Sequence, residues 1–207
     1  MSATATPSAP AVTPPPANGA SRQRWTIAEY QQMARAGLLD GKRTILIRGE
    51  VLTMPQPAPP HDTALSLAAE FLRKICPVGH YVRNQQSFNV GTDNDPGPDL
   101  AVVPGSIRDY ATDAPTRALM VVEVAASSLF DDTTTKAELY ATAGVPEYWV
   151  IDLEHRQLIV FRDPQPLPLP PGLGATAYKT HLTLGPTDTV SPLAAPAASV
   201  AVADLLP

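Results

Sequence analysis

An apolar run that carries one acidic residue constrains the fold more than any other stretch of this chain. The run, "ALMVVEVAASS", spans residues 118 to 128 and holds Glu123 near its centre. Apolar residues occupy both of its alternating faces, which is typical of a central strand covered by helices on two sides. A buried carboxylate is costly unless a cation or good hydrogen-bond donors meet it. The sequence therefore predicts a partner for Glu123 elsewhere in the chain.

Length and composition predict one globular domain preceded by a leader. The chain has 207 residues, 44% of them hydrophobic and 17% charged, which suffices for one sizeable core. Residues 1–24 are rich in Pro, Ala, Ser and Thr, so we expect a disordered leader before a single domain at 25–207. No run approaches the roughly 18 apolar residues of a membrane span. The single cysteine, Cys76, excludes an internal disulfide, and these features predict a soluble, cytoplasmic protein.

The charge balance argues against a protein that coats nucleic acid through a basic surface. The net charge is −5, with a pI near 5.3. An enzyme with local phosphate contacts remains open, because six basic residues cluster in the first half: Lys42, Arg43, Arg48, Arg73, Lys74 and Arg83. For most of these six, a solvated surface is the simpler interpretation.

The first third of the chain predicts a helix, a β-hairpin and a second helix. Thr26 and Glu29 have the spacing of a capping box and start a helix that we expect to reach about Ala36. The segment "TILIRGEVLTM" predicts two strands that turn at Arg48 and Gly49. The prolines of "PQPAPP" predict a loop, and the apolar spacing of "HDTALSLAAEFLRKIC" predicts the second helix.

The middle of the chain predicts interior strands and a third helix. The segment "HYVRNQQSFNV" alternates, and its better core face would carry Gln86 inward, where the amide needs partners. "PDLAVV" and "ALMVVEVA" are short, apolar and rich in β-branched residues, as interior strands are. "DDTTTKAELYATAGVP" has the acidic start and the Gly and Pro end of a helix of about three turns.

The last third predicts a hairpin and weaker strands. "PEYWVIDL" and "RQLIVFRD" flank a polar turn, and weak strand signals follow near 177–184 and 198–203. This order of elements predicts a mixed α/β sheet flanked by helices rather than a doubly wound parallel sheet. An exposed "EYWVID" hairpin and the adjacent proline-rich edge could support a homodimer, although ordinary packing is the simpler interpretation.

Several common catalytic motifs do not fit. "GLGATA" at 172–177 follows a proline-rich loop rather than a strand, so it lacks the context of a dinucleotide fingerprint. The sequence contains neither a phosphate-binding loop nor a Gly-x-Ser-x-Gly elbow. One cysteine cannot make a zinc site, and the four histidines have no metal-ligand spacing: His61, His80, His155 and His181.

Two acidic residues and a lysine form the candidate site. Asp99 begins one predicted interior strand and Glu123 lies late in the next. Two carboxylates in a dry sheet repel each other, and a hard divalent cation such as Mg²⁺ relieves that repulsion. Lys136 and Tyr140 share one face of the following helix at i and i+4. From there the lysine could hold a hydrolytic water and stabilise charge on a phosphate.

Each of these residues also has a purely structural interpretation. Asp99 follows Pro98 and could cap a turn, while Glu123 and Lys136 could form a structural ion pair. Gln86 could satisfy backbone groups at a strand edge. The combination of the acids with a lysine on the next helix favours chemistry, because carboxylates with perturbed pKa values gather at functional sites.

At these residues the sequence resembles the PD-(D/E)XK nuclease superfamily and, within it, the Uma-two family of restriction endonucleases. The likeness extends from about Trp25 to Leu206. It is carried by five segments in this order: "LIRGEVLTMPQPAPPH", "GPDLAVV", "VVEVAASSL", "DDTTTKAELYATAGVPEYWVID" and "TVSPL".

The resemblance implies a restriction-endonuclease-like fold that hydrolyses phosphodiester bonds with Mg²⁺, or with Mn²⁺ in its place. Asp99 and Glu123 match the metal-binding acids, and Glu50 matches an acidic position that completes the metal site through water. The usual lysine two places after the Glu is replaced by Ala125, and Lys136 matches a displaced lysine. Gln86 and His61 match positions that are often polar in the family, and Tyr140 is a further supporting residue.

The sequence is compatible with three functions. The leading hypothesis is a Mg²⁺-dependent DNA endonuclease that uses Asp99, Glu123 and Lys136, with assistance from Glu50. The second is a catalytically degenerate member that binds nucleic acid or a protein partner, which the net acidity and two departures from the family pattern, Ile45 and Arg48, favour slightly. The third is a structural or regulatory domain in which Glu123 only pairs with Lys136.

Overall fold

The computed structural model describes residues 21–166 and 176–207. Residues 1–20 of the predicted leader lie outside the described residues, as do residues 167–175, which include the start of "GLGATA". Within the described ranges, no helix combines the length and the apolar character that crossing a bilayer requires.

The first half of the described chain supplies two helices, a hairpin and two strands of the main sheet. These elements are α1 (Ile27–Arg35), β1 (Thr44–Ile47), β2 (Glu50–Thr53), α2 (Pro59–Ile75), β3 (His80–Asn84) and β4 (Leu100–Pro104). The second half supplies β5 (Met120–Ala125), α3 (Leu129–Asp131), a π-helical segment (Asp132–Lys136), α4 (Ala137–Thr142), β6 (Glu147–Asp152), β7 (Gln157–Pro166), β8 (Thr176–Leu184), β9 (Thr189–Val190) and β10 (Val200–Ala201).

The main sheet has six strands in the order β3-β4-β5-β6-β7-β8. Strands β5 and β6 are parallel, and the other neighbouring pairs are antiparallel. The helical segment from α3 to α4 connects the two parallel strands, which need a crossover connection. The predicted mixed α/β sheet with flanking helices is confirmed.

Apolar side chains cover both faces of this sheet. One core lies against α2 and the C-terminal segment, residues 190–206, and includes Val122 and Trp149. The other lies against α4 and the β1–β2 hairpin and includes Ile45, Tyr140 and Tyr148. Burial on two sides explains why β5 is apolar on both of its faces.

The predictions for α1 and for the first hairpin are confirmed. The Thr26 hydroxyl accepts a hydrogen bond from the Glu29 backbone N–H, while the Glu29 carboxylate accepts one from the Thr26 N–H. The β1–β2 hairpin turns at Arg48 and Gly49, which have φ values of 50° and 74°. Two positive φ values in a two-residue turn match the twist of antiparallel strands.

The predicted proline loop is shorter than expected, because α2 begins at Pro59 rather than at His61. Pro59 and Pro60 lie in the first helical turn, where backbone N–H groups have no acceptor within the helix. Proline loses nothing there and its fixed φ suits the helix. The loop after β2 therefore covers only residues 54–58.

The strand predicted for "HYVRNQQSFNV" is also too long. It ends at Asn84, because Gln85 has a φ of 49°, which an extended strand does not accommodate. The alternation breaks there, so Gln86 is exposed while Phe88 and Val90 return to the core. The inward position predicted for Gln86 is wrong.

The β6–β7 hairpin is present, but its "EYWVID" strand is not exposed. All six residues of β6 are buried, and the strand lies between β5 and β7 in the sheet. This strand therefore offers no surface to a second copy of the chain. The homodimer itself stays a prediction.

The weak strand signals near the C-terminus have different outcomes. The first forms β8, which pairs with β7 from Thr176 to Leu184. The second forms only the two residues of β10 before a 3₁₀ turn at Val202–Leu205.

Glu147 ties the C-terminal segment to the sheet. Its carboxylate is fully buried and accepts hydrogen bonds from Arg162 Nε at 2.8 Å and Trp149 Nε1 at 3.0 Å. The backbone N–H of Leu193 donates a further bond at 2.7 Å. Arg162 also donates to the carbonyl of Ser191, so the same ion pair holds the chain that leads to β10.

We expect Glu147→Ala to lower the free energy of unfolding by about 3 kcal/mol, because it leaves the Arg162 guanidinium without its buried counter-charge. Urea denaturation followed by circular dichroism measures this loss. Glu154→Ala, in the exposed β6–β7 turn, is the matched control and should change the free energy by less than about 0.5 kcal/mol. Equal, small losses in both variants would show that Glu147 does not anchor the segment.

Candidate active site

The register of the sheet brings Asp99 and Glu123 to the same place. In the antiparallel β4–β5 pair, Leu100 lies opposite Val122 and Ala101 opposite Val121. Continuing this register by one residue places Asp99 opposite Glu123. Side chains alternate between the two faces of a strand, so both acids lie on the face covered by α4.

Asp99 is held by donors from several elements. Its Oδ2 accepts a hydrogen bond from the Val124 backbone N–H at 2.9 Å and lies 3.2 Å from His61 Nε2. Its Oδ1 accepts a bond from Gln85 Nε2 at 3.1 Å and lies 3.6 Å from the Arg43 guanidinium. Burial alone would raise the pKa of Asp99, but the donors from His61 and Val124 outweigh it and hold the pKa below its ordinary value. Asp99 is therefore ionised.

Glu123 is buried more deeply and has fewer donors. Its Oε1 accepts a hydrogen bond from the Tyr140 hydroxyl at 2.7 Å, and its Oε2 lies 3.0 Å from Lys136 Nζ. Burial raises the pKa of Glu123 to about 8; Lys136 opposes this rise, whereas the negative charge of Asp99 adds to it. The ionised form of Glu123 therefore depends on the positive charge beside it.

Lys136 lies between two carboxylates. Its ammonium is 3.0 Å from Glu123 Oε2 and 2.9 Å from Asp132 Oδ1. Burial disfavours the charged lysine, but these two carboxylates outweigh it and raise the pKa of Lys136 above its ordinary value. Lys136 therefore stays charged at the base of the site.

The π-helical segment positions this lysine. Asp132 begins the segment and Lys136 ends it, so the pair is an i, i+4 ion pair on one turn. Ser128 Oγ donates to Asp132 Oδ2 at 2.6 Å, and the Tyr148 hydroxyl donates to the Asp132 carbonyl at 2.9 Å. Single π turns within helices occur frequently at functional sites. Asp132 thus fixes the direction of Lys136.

Asp99, Glu123 and Lys136 line one cavity of about 500 Å³. Its walls include the two acids and three basic side chains: Asp99, Glu123, Arg43, His61 and Lys136. The side chains of Asp99, Glu123 and Lys136 are only 5%, 3% and 8% exposed. The candidate site therefore lies at the bottom of a cavity rather than on an open surface.

The other predicted site residues have different positions. His61 contacts Asp99 and Tyr140 contacts Glu123, so both belong to the cluster. Gln86 lies outside the cluster, and its neighbour Gln85 contacts Asp99 instead. The positive φ of Gln85 interrupts the alternation of side chains along the strand. Glu50 lies 3.8 Å from both Arg22 and Arg24 and lines a neighbouring cavity that also reaches Lys136.

Three members of the cluster were not predicted from the sequence. Asp132 stands four residues before Lys136, and that spacing is a signal that could have identified it. Arg43 and Gln85 lie in a loop and at a strand end, and no pattern in the sequence connects either one to Asp99.

The donor set fits a divalent cation with few protein ligands. Asp99 and Glu123 supply two carboxylates, and Mg²⁺ is often bound by one or two carboxylates together with water and substrate phosphate. A cation beside Glu123 and Asp99 would offset the cost of burying their negative charges. Among residues 21–166 and 176–207, no group of three or more His, Cys, Asp or Glu side chains is placed to hold a metal. Any ion here would therefore take much of its coordination from solvent or substrate.

A six-stranded mixed sheet covered by helices defines a mixed α/β protein. Residues 27–203 match the sequence profile of the Uma2 family, which is described as "Putative restriction endonuclease". The match covers most of the chain, which therefore belongs to the Uma2 family.

A solved structure shares this fold. It is the crystal structure of "a putative nuclease belonging to DUF820" from Anabaena variabilis, which superposes with a TM-score of 0.63 at 16% sequence identity. The likeness covers 87% of this chain and 96% of the other. No curated protein shows significant similarity to the chain.

We expect the stability of the wild type to depend on the protonation of Glu123. The pKa of its carboxyl rises from 4.5 to about 8 on folding, so the stabilisation from this protonation is complete below about pH 4.5 and declines as the pH rises toward 8. In EDTA, the free energy of unfolding should fall by roughly 2 kcal/mol or more between about pH 5 and pH 8, relative to Glu123→Gln.

Urea denaturation at several pH values measures this difference. Glu123→Gln keeps the shape of the side chain and cannot titrate, so its stability curve should be the flatter one. Parallel curves for the two proteins would contradict the raised pKa of Glu123.

Proposed function

We propose that this chain is a Mg²⁺-dependent DNA endonuclease, in which Mn²⁺ can replace Mg²⁺. One observation carries the proposal: Asp99, Glu123 and Lys136, from three separate elements, meet at the bottom of one cavity. A purely structural ion pair would explain Glu123 and Lys136. It would not explain a second buried carboxylate on the same cavity wall.

The side chains have distinct roles in this proposal. Asp99 and Glu123 would hold the metal ion, which supplies Lewis-acid polarisation of the phosphate and a more acidic water. Lys136 directs its ammonium into the cavity, where it orients the attacking water and stabilises negative charge on the phosphate oxygens. Direct hydrolysis of this kind needs no covalent intermediate.

Neighbouring residues keep these groups in place. Asp132 holds Lys136 through an ion pair of 2.9 Å between its Oδ1 and the ammonium. Tyr140 holds the other oxygen of Glu123, which leaves that carboxyl little freedom to rotate. His61 and Gln85 orient Asp99 in the same way, one on each of its oxygens. A site with such fixed groups is arranged before the substrate arrives.

Family membership supports the reaction class. The Uma2 family is described as "Putative restriction endonuclease", and the solved structure with this fold is described as "a putative nuclease". The assistance of Glu50 through water stays a prediction: its carboxylate lies 3.8 Å from Arg22 and Arg24 and lines a cavity that also reaches Lys136.

We expect purified wild type to nick or cut plasmid DNA in the presence of Mg²⁺ and to lose that activity in EDTA. Asp99→Asn and Lys136→Met should each reduce the cleavage rate by about a hundredfold or more, because each removes a charge that stabilises the transition state. Gel electrophoresis over a time course measures the rate. Glu154→Gln, at the exposed turn after β6, is the control and should cleave like wild type.

Cleavage that survives unchanged in Asp99→Asn and Lys136→Met would show that a contaminant or another site is responsible. Folding of each variant is checked by circular dichroism, so that a loss of structure is not read as a loss of chemistry.

A second function has one observation in its favour. Both oxygens of Asp99 and both of Glu123 already face protein donors or cations. Such a saturated pair would suit a domain that binds nucleic acid without cutting it. Calorimetric titration with MgCl₂ separates the two functions: a catalytic site binds Mg²⁺ in the wild type and loses that binding in Asp99→Asn, whereas an inactive site gives no Asp99-dependent heat.

A further inference from the structure

A second cavity, of about 440 Å³, lies beside the candidate active site. It is bounded by α1, by the chain that leads into β1 and by the segment that follows β3. Its lining includes Gln31 and Ala34 from the helix, and Gln85, Gln86 and Ser87 from the segment after β3. The roles proposed for Asp99, Glu123 and Lys136 assign no function to this cavity.

The two cavities adjoin. Arg43, Ile45 and Gly97 line both of them, so the Arg43 side chain forms part of the partition between them. Gln85 connects them in a second way, because it lines the second cavity while its amide donates to Asp99. A molecule in the second cavity would therefore lie within reach of the groups that hold the catalytic carboxylate.

The lining suits a nucleotide. Three glutamines and Ser87 offer paired donors and acceptors of the kind that recognise the edges of nucleobases. Lys42 and Arg43 add two cationic groups that suit phosphate, and Asp40 and Asp95 add carboxylates that can accept hydrogen bonds from base amino groups. The volume falls in the range of about 300–1,000 Å³ that is usual for small-molecule sites, which is enough for one nucleotide.

The depth of the active site limits the form of DNA that reaches it. The Asp99 and Glu123 side chains are at most 5% exposed, so a phosphate must enter the cavity to meet them. In a double helix the phosphates lie on the outside, but a paired and stacked base lies inside and cannot enter a pocket on the protein. An unpaired nucleotide can leave that stack and enter a pocket, whereas a paired one must first be unstacked, at a free-energy cost.

We propose that the second cavity is a subsite for one unpaired nucleotide of the substrate strand, next to the phosphate that is cut. Arg43 contacts the phosphate that lies between the subsite and Asp99. The inference rests on the proposed nuclease function and deepens it, because it assigns single-stranded or locally unpaired DNA as the preferred substrate.

Binding can be tested without cleavage. A short fluorescein-labelled single strand and the duplex of the same sequence are titrated with full-length protein in EDTA, and fluorescence anisotropy gives the two dissociation constants. We expect the single strand to bind about tenfold or more tightly than the duplex, since the duplex must be unpaired first. Equal binding, or tighter binding of the duplex, overturns the inference.

Two variants locate the binding. Ala34→Trp fills the second cavity from an exposed position on α1 and changes no charge, and it should weaken single-strand binding about tenfold. Arg43→Ala should weaken it by a similar factor, through loss of a charge-assisted contact. Arg108→Ala removes the same charge from an exposed 3₁₀ turn and should change binding by less than about twofold.

The outcomes also separate this inference from the proposed function. If plasmid cleavage depends on Asp99 but Ala34→Trp binds the single strand as tightly as wild type, the subsite proposal is wrong and the nuclease proposal stands. If wild type binds the single strand tightly, Ala34→Trp weakens that binding, and wild type cuts no DNA, the nuclease proposal is wrong and the subsite proposal stands.

Discussion

The contact between Lys136 and Glu123 inside the sheet is the interaction on which the rest of the site depends. The ammonium lies 3.0 Å from Glu123 and 2.9 Å from Asp132, so one cation holds two buried acids. Without it, β5 would carry an uncompensated carboxyl group within an apolar strand. Burial raises the pKa of Glu123, and Lys136 opposes that rise and favours the charged carboxylate. The packing of α4 on the sheet thus sets the chemistry of the cavity.

Much of this arrangement could be predicted from the sequence, because it follows from strand periodicity. Apolar residues on both faces of β5 identify a central strand, and the alternation of β4 and β5 places Asp99 and Glu123 on one face. Lys136 and Tyr140 share a helix face one turn apart, and both contact Glu123. The same segments also predicted the mixed sheet and membership of the Uma2 family. The catalytic roles of these residues stay predictions.

The parts that could not be predicted depend on local backbone geometry and on the docking of distant segments. The positive φ of Gln85 ends β3 early, exchanges the positions of Gln85 and Gln86, and has no signature in the alternating pattern. Arg43 reaches Asp99 only because the β1–β2 hairpin packs over the sheet. Glu50 lies on that hairpin too, yet Arg22 and Arg24 pair with it, and their segment was expected to be a disordered leader.

Diffraction from crystals of the protein grown with MnCl₂ tests the central claim most directly, because anomalous scattering locates the ion. The account predicts an anomalous peak in contact with the carboxylates of both Asp99 and Glu123, beside the Lys136 ammonium. It also predicts that the peak disappears in Asp99→Asn crystals that retain the fold. A cavity without any peak at saturating Mn²⁺, or a peak bound elsewhere with the Glu123–Lys136 contact intact, would contradict the account.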